Sequence, residues 1–460
     1  MASTAHDDPE MMQEHYDSEE ELQQKVDRLA EMVRESQHFV AFTGAGISTS
    51  AGIPDFRGPD GKWTRQAQGK EALKGVSVVE AFPTPTHMAL LELYNRGVLK
   101  YLISQNCDGL HRRSGFPAAA ISELHGNGWV EICESCGQQH FRDFKCTRFM
   151  RPGGPKLPTD HFTGRFCHCG GRLLNSTIDF GQSLPQKPLT LAATHSNQAD
   201  LHLALGSSLT VSPANAQPEI TARNGGKLVI VNLQKTPLDK HATMHIFAKT
   251  DLVMGMLMER LGIQIPTFQL LRRVIVGKRT QSQMEVYVRA VDIHEPSIPT
   301  DHVHAVEWDI AGPSKDFPDK KEHRMRPRAD VAEVVPTLMW RGHYREPPTP
   351  VPVSLGAALA VNVLLAYDPY RLSWACLSKE ELPDGQVPTP GDLQGGCIPD
   401  YGESHREYCI KKAQQSRNCS DEEAAKLIDT RVAESIRAAK GAASRPEAKA
   451  KALPRSPTRR

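Results

Sequence analysis

Four short apolar runs set the frame for any fold of this 460-residue chain. HFVAF (38–42), VLKYLIS (98–104), DLHLALG (200–206) and KLVIVNL (227–233) each end at a cluster of small or polar residues. None keeps a strict alternation of apolar and polar residues, so each reads as a strand buried on both faces. Helix-like segments such as HMALLELYNRG (87–97) lie between them. Short buried strands alternating with helices predict a doubly wound α/β domain around a Rossmann-like parallel sheet. In that architecture ligands gather beyond the carboxyl ends of the strands, and that is where the unusual residues of this chain fall. Ahead of the first strand, Leu22, Val26, Leu29 and Val33 are spaced to make one apolar helix stripe.

The first strand runs into TGAGISTSAGIPDFRG (43–58). Gly44 and Gly46 let the backbone turn tightly and come close to a pyrophosphate, with amide donors facing the negative charge. The loop fails both common nucleotide fingerprints: Thr49 stands where a third glycine would complete the dinucleotide pattern, and no Gly-Lys-Ser/Thr follows for a P-loop. Alone, such a turn is weak support for a nucleotide. Its company is more telling: IPDFRGPDGKW follows it, then SQNCDGLH (104–111), SELHGN (122–127), LGSSL (205–209) and VNLQ (231–234).

Between about 130 and 175 the α/β pattern breaks into Cys, Gly, Pro and His. Cys133 and Cys136 form a CxxC, and Cys167 and Cys169 a CxC. Two cysteine pairs read as a closed, tetrahedral structural zinc site holding one ion, with Cys146 and His168 as further candidate ligands. From 270 to 375 the stretches QMEVYVRAVDIH and HAVEWDI alternate at period two and predict a β-rich extension of unknown role. Residues 376–410 read as loop. Ser420 and Glu423 form a capping box ahead of Leu427, Ile428, Val432 and Ile436, and a basic, unstructured tail closes the chain.

The net charge of +1 hides an acidic head (Asp7, Asp8, Glu10, Glu14, Asp17, Glu19, Glu20, Glu21) and a tail in which Arg431 to Arg460 carries nine Lys/Arg against Glu434 and Glu447. Residues 1–19 therefore read as an acidic, disordered segment, and the tail as a contact for chromatin or nucleic acid. KKEHRMRPR (320–328) reads as a solvated charged loop. The acidic start argues against a transit peptide, and GAALAVNVLLAY (356–367) is too short and polar to span a bilayer. An intracellular chain without membrane contact is the expectation.

Over about residues 20–266 the motifs, in their order, resemble the sirtuins, NAD-dependent protein-lysine deacylases; GGKLVIVNLQ, ISELHGN and SQNCDGLH are closest to the branch containing sirtuins six and seven. The resemblance implies that NAD is consumed as a co-substrate. Ala45, Gly46, Ser48 and Thr49 would line the phosphate loop, with Phe56, Arg57 and Trp63 closing over the cofactor. Gln105, Asn106 and Asp108 would surround the nicotinamide end, where a carboxylate suits a glycosidic bond that becomes cationic as it breaks. Gly206, Ser208, Asn232 and Gln234, with Thr250, would hold the adenosine half. His125 would be the catalytic base beside Asn106, since an imidazole titrates near neutrality and can take a ribose hydroxyl proton. The acyl-lysine carbonyl oxygen would attack the nicotinamide ribose, releasing nicotinamide, lysine and O-acyl-ADP-ribose. Phe180, Gly181 and Val211 would touch the acyl-lysine substrate, with Gln182 standing where an acid is common. His38, His87 and His111 read as structural. The cysteine pairs fall where the family carries its zinc module.

The implied substrates are acylated lysine proteins, histones among them, and the implied location is the nucleus, with the cytoplasm left open. Transfer of ADP-ribose to protein and a chromatin-binding scaffold are the two alternatives.

Overall fold

The computed structural model of the chain describes residues 9–382 apart from 72, 74, 79, 147–160, 168, 180, 281–282, 295, 297–298, 301, 311, 313, 318–321, 329–330, 342 and 356–358. Phe180, His168, the capped segment at 420–436 and the basic tail thus lie outside the described residues. The helices in chain order are α1 (Pro9–Met12), α2 (Glu19–Glu35), α3 (Lys62–Ala67), α4 (Pro85–Asn95), α5 (Leu110–Arg113), α6 (Gln186–Gln198), α7 (Ala216–Arg223) and α8 (Thr250–Arg260).

Strands β1 (Phe39–Thr43), β2 (Leu99–Ser104) and β3 (Ile121–Glu123) open the first sheet. The strands of the cysteine-bearing insertion, β4 (Val130–Cys133), β5 (Gln139–Phe141), β6 (Phe162–Phe166) and β7 (Arg172–Asn175), follow. The first sheet resumes with β8 (Leu201–Leu205), β9 (Lys227–Val231) and β10 (Met244–Ile246). Its order is β10-β9-β8-β1-β2-β3, and every neighbouring pair is parallel. The apolar runs found their cause here. Phe39 and Ala41 of β1 face a layer holding Leu22, Val26 and Leu29 of α2, Leu90 and Leu93 of α4 and Val253 and Leu257 of α8. Val40 and Phe42 face the opposite layer, with Ala192 of α6. A strand covered on both sides has no polar face to alternate.

The chain winds outward from β1 through β2 to β3, then returns to β8 on the other side of β1. The switch point therefore lies between β1 and β8, where an open α/β sheet leaves its crevice. Glycines close that crevice tightly. Gly44 donates to the Leu205 carbonyl at 3.0 Å and Gly46 to that of Gly206 at 2.8 Å. A Cβ on Gly46 would stand 2.7 Å from Gly206 Cα, and Gly206 holds φ at 58°. The loop then forms a 3-10 segment, Ala45–Ala51. Thr49 turns its hydroxyl back onto the Gly46 carbonyl at 3.0 Å, and Gly52 at φ 80° ends the turn.

The insertion is a small antiparallel sheet, β5-β4-β7-β6. Beyond the α/β domain come β11 (Leu270–Thr280), β12 (Met284–Val291), β13 (Val303–Glu307), β14 (Ser314–Phe317), β15 (Glu322–Met325), β16 (Glu333–Val334), β17 (Thr337–Trp340), β18 (Thr349–Pro350), β19 (Val353–Ser354), β20 (Ala360–Asp368) and β21 (Ser373–Leu382). The sheet β14-β15-β12-β11-β20-β21 packs Val274, Val276, Val288 and Val363 against Val303, Leu338 and Val353 of the smaller sheets β13-β17-β18 and β16-β19. This extension sits on the α/β core through Met88, Phe268, Leu270, Tyr344 and Tyr367, and Tyr344 donates to the Ala81 carbonyl at 2.9 Å.

Three expectations need correction. Within KKEHRMRPR, read as a solvated loop, Glu322–Met325 form strand β15, and Glu322 is buried against Arg279, Arg289 and Arg324. Strand β21 runs on to Leu382, past residue 375 and into the stretch read as loop. It is an edge strand with an exposed face, so its side chains carry little apolar signal. Residues 9–17 were expected to be disordered with the rest of the acidic head. Instead, His15 donates to the Leu233 carbonyl at 2.8 Å and Asp17 to that of Phe247 at 2.9 Å. Two acids of this stretch have partners beyond it: Lys25 lies 2.6 Å from Asp17, and Lys235 pairs with Glu10. Among the described residues no helix is long and apolar enough to cross a membrane.

Candidate functional site

The carboxyl ends of β1, β2, β3, β8 and β9 deliver five of the sequence motifs to one region. From β2, Asn106 donates its side-chain amide to the Gly44 carbonyl at 3.0 Å, and Gln105 donates to Ser207 Oγ at 2.8 Å. Both sides of the switch point are thus tied to the same dipeptide. Ser48 in the glycine loop donates to Asp108 Oδ2 at 2.7 Å, while the Leu110 amide opening α5 donates to Oδ1 at 2.9 Å. Asp108 is held as a half-buried carboxylate with both oxygens engaged.

His125 follows β3. Its Nδ1 lies 3.0 Å from the Gln105 carbonyl oxygen. A carbonyl only accepts, so Nδ1 carries the hydrogen and Nε2 of the neutral ring carries the lone pair. Burial lowers the imidazole below its usual range, and the bond to Gln105 opposes that only in part. The ring is therefore neutral at pH 7 and able to accept a proton at Nε2. Behind it, Cys107 donates to the His125 carbonyl at 3.1 Å, and burial pushes that thiol up to about 12. Cys107 is a neutral packing group, not a nucleophile.

The other loops complete a rim. Phe56 and Trp63 have ring centroids 4.7 Å apart, and the Arg57 guanidinium lies 4.5 Å over the Trp63 ring. Phe56 is largely exposed. Asn232 donates to the Gln234 carbonyl at 2.8 Å, and Gln234 donates to the carbonyls of Met12 at 3.0 Å and Arg57 at 3.3 Å. Gln234 thereby stitches the amino-terminal segment to the aromatic loop. Ser208 meets Thr210 at 2.9 Å. Thr250 is buried at the start of α8. Ala45, Gly46 and Thr49 lie in the 3-10 turn. Gly181, at φ 85° with open space around it, and the half-buried Val211 lie on separate loops after the zinc module and β8.

The Sγ atoms of Cys133, Cys136, Cys167 and Cys169 all lie within 4.8 Å of one another, with Cys133–Cys169 at 3.4 Å and Cys136–Cys167 at 3.7 Å. Thiolates about 2.3 Å from a tetrahedral zinc would sit about 3.8 Å apart, so this set fits one ion. Cys146 stands outside the group, its sulfur 3.8 Å from the Phe144 carbonyl.

Several residues escaped the sequence reading. Asp251 accepts from Ser50 Oγ at 2.5 Å, Thr86 N at 3.0 Å and Thr86 Oγ1 at 2.5 Å, joining the glycine loop to α4 and α8. His140 places Nε2 3.5 Å from Cys167 Sγ, in the position of a partner that orients a metal ligand. His161 bridges Asn175 at 3.1 Å and Gln182 at 3.0 Å, fixing the segment that carries Gly181. None of these sits in a motif; each contact joins residues far apart or of ordinary type. His38 pairs with His195 at 3.0 Å, His87 with Thr84 at 2.8 Å and His111 with Thr43 at 2.9 Å.

The Sir2 family model matches residues 69–213. The chain is 46% identical over 259 residues to NAD-dependent protein deacetylase SRT1 of Arabidopsis thaliana, a match over 56% of this chain and 53% of that protein. It is 41% identical over 261 residues to NAD-dependent protein deacetylase Sirt6 of Drosophila melanogaster, covering 55% of this chain and 81% of the relative. For NAD-dependent protein deacetylase sirtuin-7 of Homo sapiens the identity is 42% over 269 residues, 55% of this chain and 64% of the other. The chain thus spans about half the length of its Arabidopsis relative and most of its Drosophila one. On that likeness, carried by the motifs gathered at the switch point, the chain belongs to the Sir2 family, the sirtuins.

Proposed function

We propose that the chain is an NAD-dependent protein-lysine deacylase with one structural zinc. The observation that carries the reading is His125, neutral and with its Nε2 lone pair available, held by the carbonyl of Gln105 beside Asn106 and Asp108 at the strand ends. NAD would supply the ribose that loses nicotinamide and the hydroxyl that accepts the acyl group. Asp108 places a fixed negative charge where a glycosidic bond turning cationic would be stabilised. Asn106 and Gln105 orient polar groups at that end, and His125 Nε2 takes the hydroxyl proton. Ala45, Gly46, Ser48 and Thr49 form the phosphate side; Phe56, Arg57 and Trp63 the cover; Gly206, Ser208, Asn232, Gln234 and Thr250 the adenosine side. Phe180, Gly181 and Val211 flank the acyl-lysine. Cys133, Cys136, Cys167 and Cys169 hold the zinc away from the chemistry, bracing the module that leads into Gly181.

Histones and other chromatin proteins in the nucleus are the substrates we favour, on the family likeness and on the basic composition of Arg431 to Arg460. The test is incubation with labelled NAD and acetylated histone peptide. Label in O-acetyl-ADP-ribose, lost in His125→Ala, supports the proposal. Label on protein points to ADP-ribosyl transfer, and turnover surviving in His125→Ala refutes the proton-transfer role. Acetyl, succinyl and long-chain acyl peptides tested together set the acyl preference, and inactivity on all of them with an intact fold leaves a scaffold.

A further inference from the structure

At the seam between the α/β core and the β-rich extension lies a small cleft with a cavity volume of about 30 Å³. Its walls come from α5, β11, β12 and the segment before β13, and they include Arg112, Arg272, Asp292, Thr300 and His302, all buried. Arg113 adds a third guanidinium. The nearby acids are engaged: Asp292 pairs with Arg112 at 3.4 Å, and Asp143 and Glu346 lie 2.8 and 3.5 Å from Arg272 Nη2. One buried nitrogen on these walls, Arg272 Nε, has no hydrogen-bond partner. An unpaired buried guanidinium N–H costs more than a neutral one, so the cleft favours an occupant that accepts hydrogen bonds and carries negative charge.

We infer that this cleft is a binding site for a small oxyanion of the size of inorganic phosphate, which joins the extension to the core. Arg272 Nε–H donates to the anion. The Thr300 hydroxyl lies 2.7 Å from His302 Nδ1, and the His302 ring, hydrogen-bonded also to the Arg273 backbone, closes the wall beside it. Each water needs about 10–15 Å³ of such space, so the cleft takes the volume of two or three waters and excludes a nucleotide. The site is separate from the glycine loop. It bears on α5, whose first amide holds Asp108.

The test is a titration of the full chain with inorganic phosphate at constant ionic strength, followed by calorimetry or phosphorus NMR. The variant Thr300→Val/His302→Phe removes both partners of a buried hydrogen bond while keeping apolar bulk beside Trp340, a change that cores tolerate. We expect saturable binding in the native chain, at least tenfold weaker binding in this double variant, and unchanged binding in Thr49→Val of the glycine loop. Leu271→Glu, which adds a carboxylate at the half-buried wall, tests the site independently of the double variant's folding and should also abolish binding. No saturable binding to the native chain overturns the inference, leaving water in the cleft. Loss in Thr49→Val with retention in both other variants overturns it as well, placing the phosphate at the glycine loop.

Discussion

Gly126, next to His125, offers the most direct check on how the base is held. Its φ is 72°, and a Cβ built there would lie 1.8 Å from the Ser176 carbonyl oxygen and 2.4 Å from the Ser176 carbon. Alanine would cost about 1–2 kcal/mol for the left-handed conformation alone. The overlap is the larger effect. Real Cβ contacts essentially never fall below 3.0 Å, so the two chains must part by more than 1 Å. That movement breaks the bond from the Ile178 amide to the His125 carbonyl, now 3.0 Å, and those between Ser176 and Asn127. The base and the segment leading to Gly181 would separate together. A misplacement of about 1 Å at a reacting group costs on the order of 100-fold. Gly126→Ala should therefore lose about 100-fold or more in kcat on an acetyl-lysine peptide with NAD, while keeping its zinc and its far-ultraviolet circular dichroism. Gly97→Ala supplies the control, because Gly97 has φ 68° but open space around it. It should lose stability and keep kcat. Gly126→Ala with kcat within about threefold of the native enzyme would refute the argument.

Three further measurements bear on other parts of the molecule. Because burial lowers His125 and the base works in its neutral form, the acid limb of kcat/KM should fall below 6.5; a limb at or above that value counts against His125 as the base. Cys167→Ser should lose bound zinc in a colorimetric release assay and Cys146→Ser should retain it, and loss confined to Cys146→Ser would overturn the ligand set. Burial alone would raise Glu322, yet Arg289 and Arg279 bring its carboxyl down to about 2 from the usual 4.5. A depressed carboxylate contributes stability that is present above the unfolded value and lost as pH falls toward the folded one, here about 3 kcal/mol between pH 4.5 and 2. Glu322→Gln should lower the urea midpoint at pH 7 by much more than at pH 3, and an equal loss at both would sink the assignment.

The sequence spoke most clearly where physics is local. Strands covered on both faces, as β1 is, must be written as apolar runs, and glycines at a chain crossing leave no substitute. Contacts closed over long separations left no such mark. Nothing about Asp251 in TDLVM says that it will hold Ser50, 201 residues earlier in the chain. Glu10 and Asp17 looked like part of a solvated acidic run, because composition cannot show that Lys235 will face one of them. Residues 376–382, expected to begin a loop, belong to an edge strand whose partner, β20, supplies the apolar face that β21 itself lacks. The cysteine pairs were legible as a group, since metal ligands are written in spacing, whereas His140 behind Cys167 belongs to no spacing rule.

The setting of the base follows from the way the parallel sheet ends. Strands β2 and β3 pair in register from Leu102–Ile121 to Ser104–Glu123, and the ladder's last rung is the Leu124 amide on the Ser104 carbonyl at 2.9 Å. The next carbonyl, one residue past β2, belongs to Gln105. There the chain on the β3 side has already turned, through Gly126 donating to the Glu123 carbonyl at 2.9 Å, so among the described residues no backbone amide reaches it. The imidazole of His125 takes that place. A carbonyl left over at the end of a sheet thus selects which nitrogen of the histidine carries hydrogen. The geometry that positions the ring and the chemistry that leaves Nε2 basic have one cause, so a change that moves the end of β2 should alter the pH dependence of turnover together with its rate.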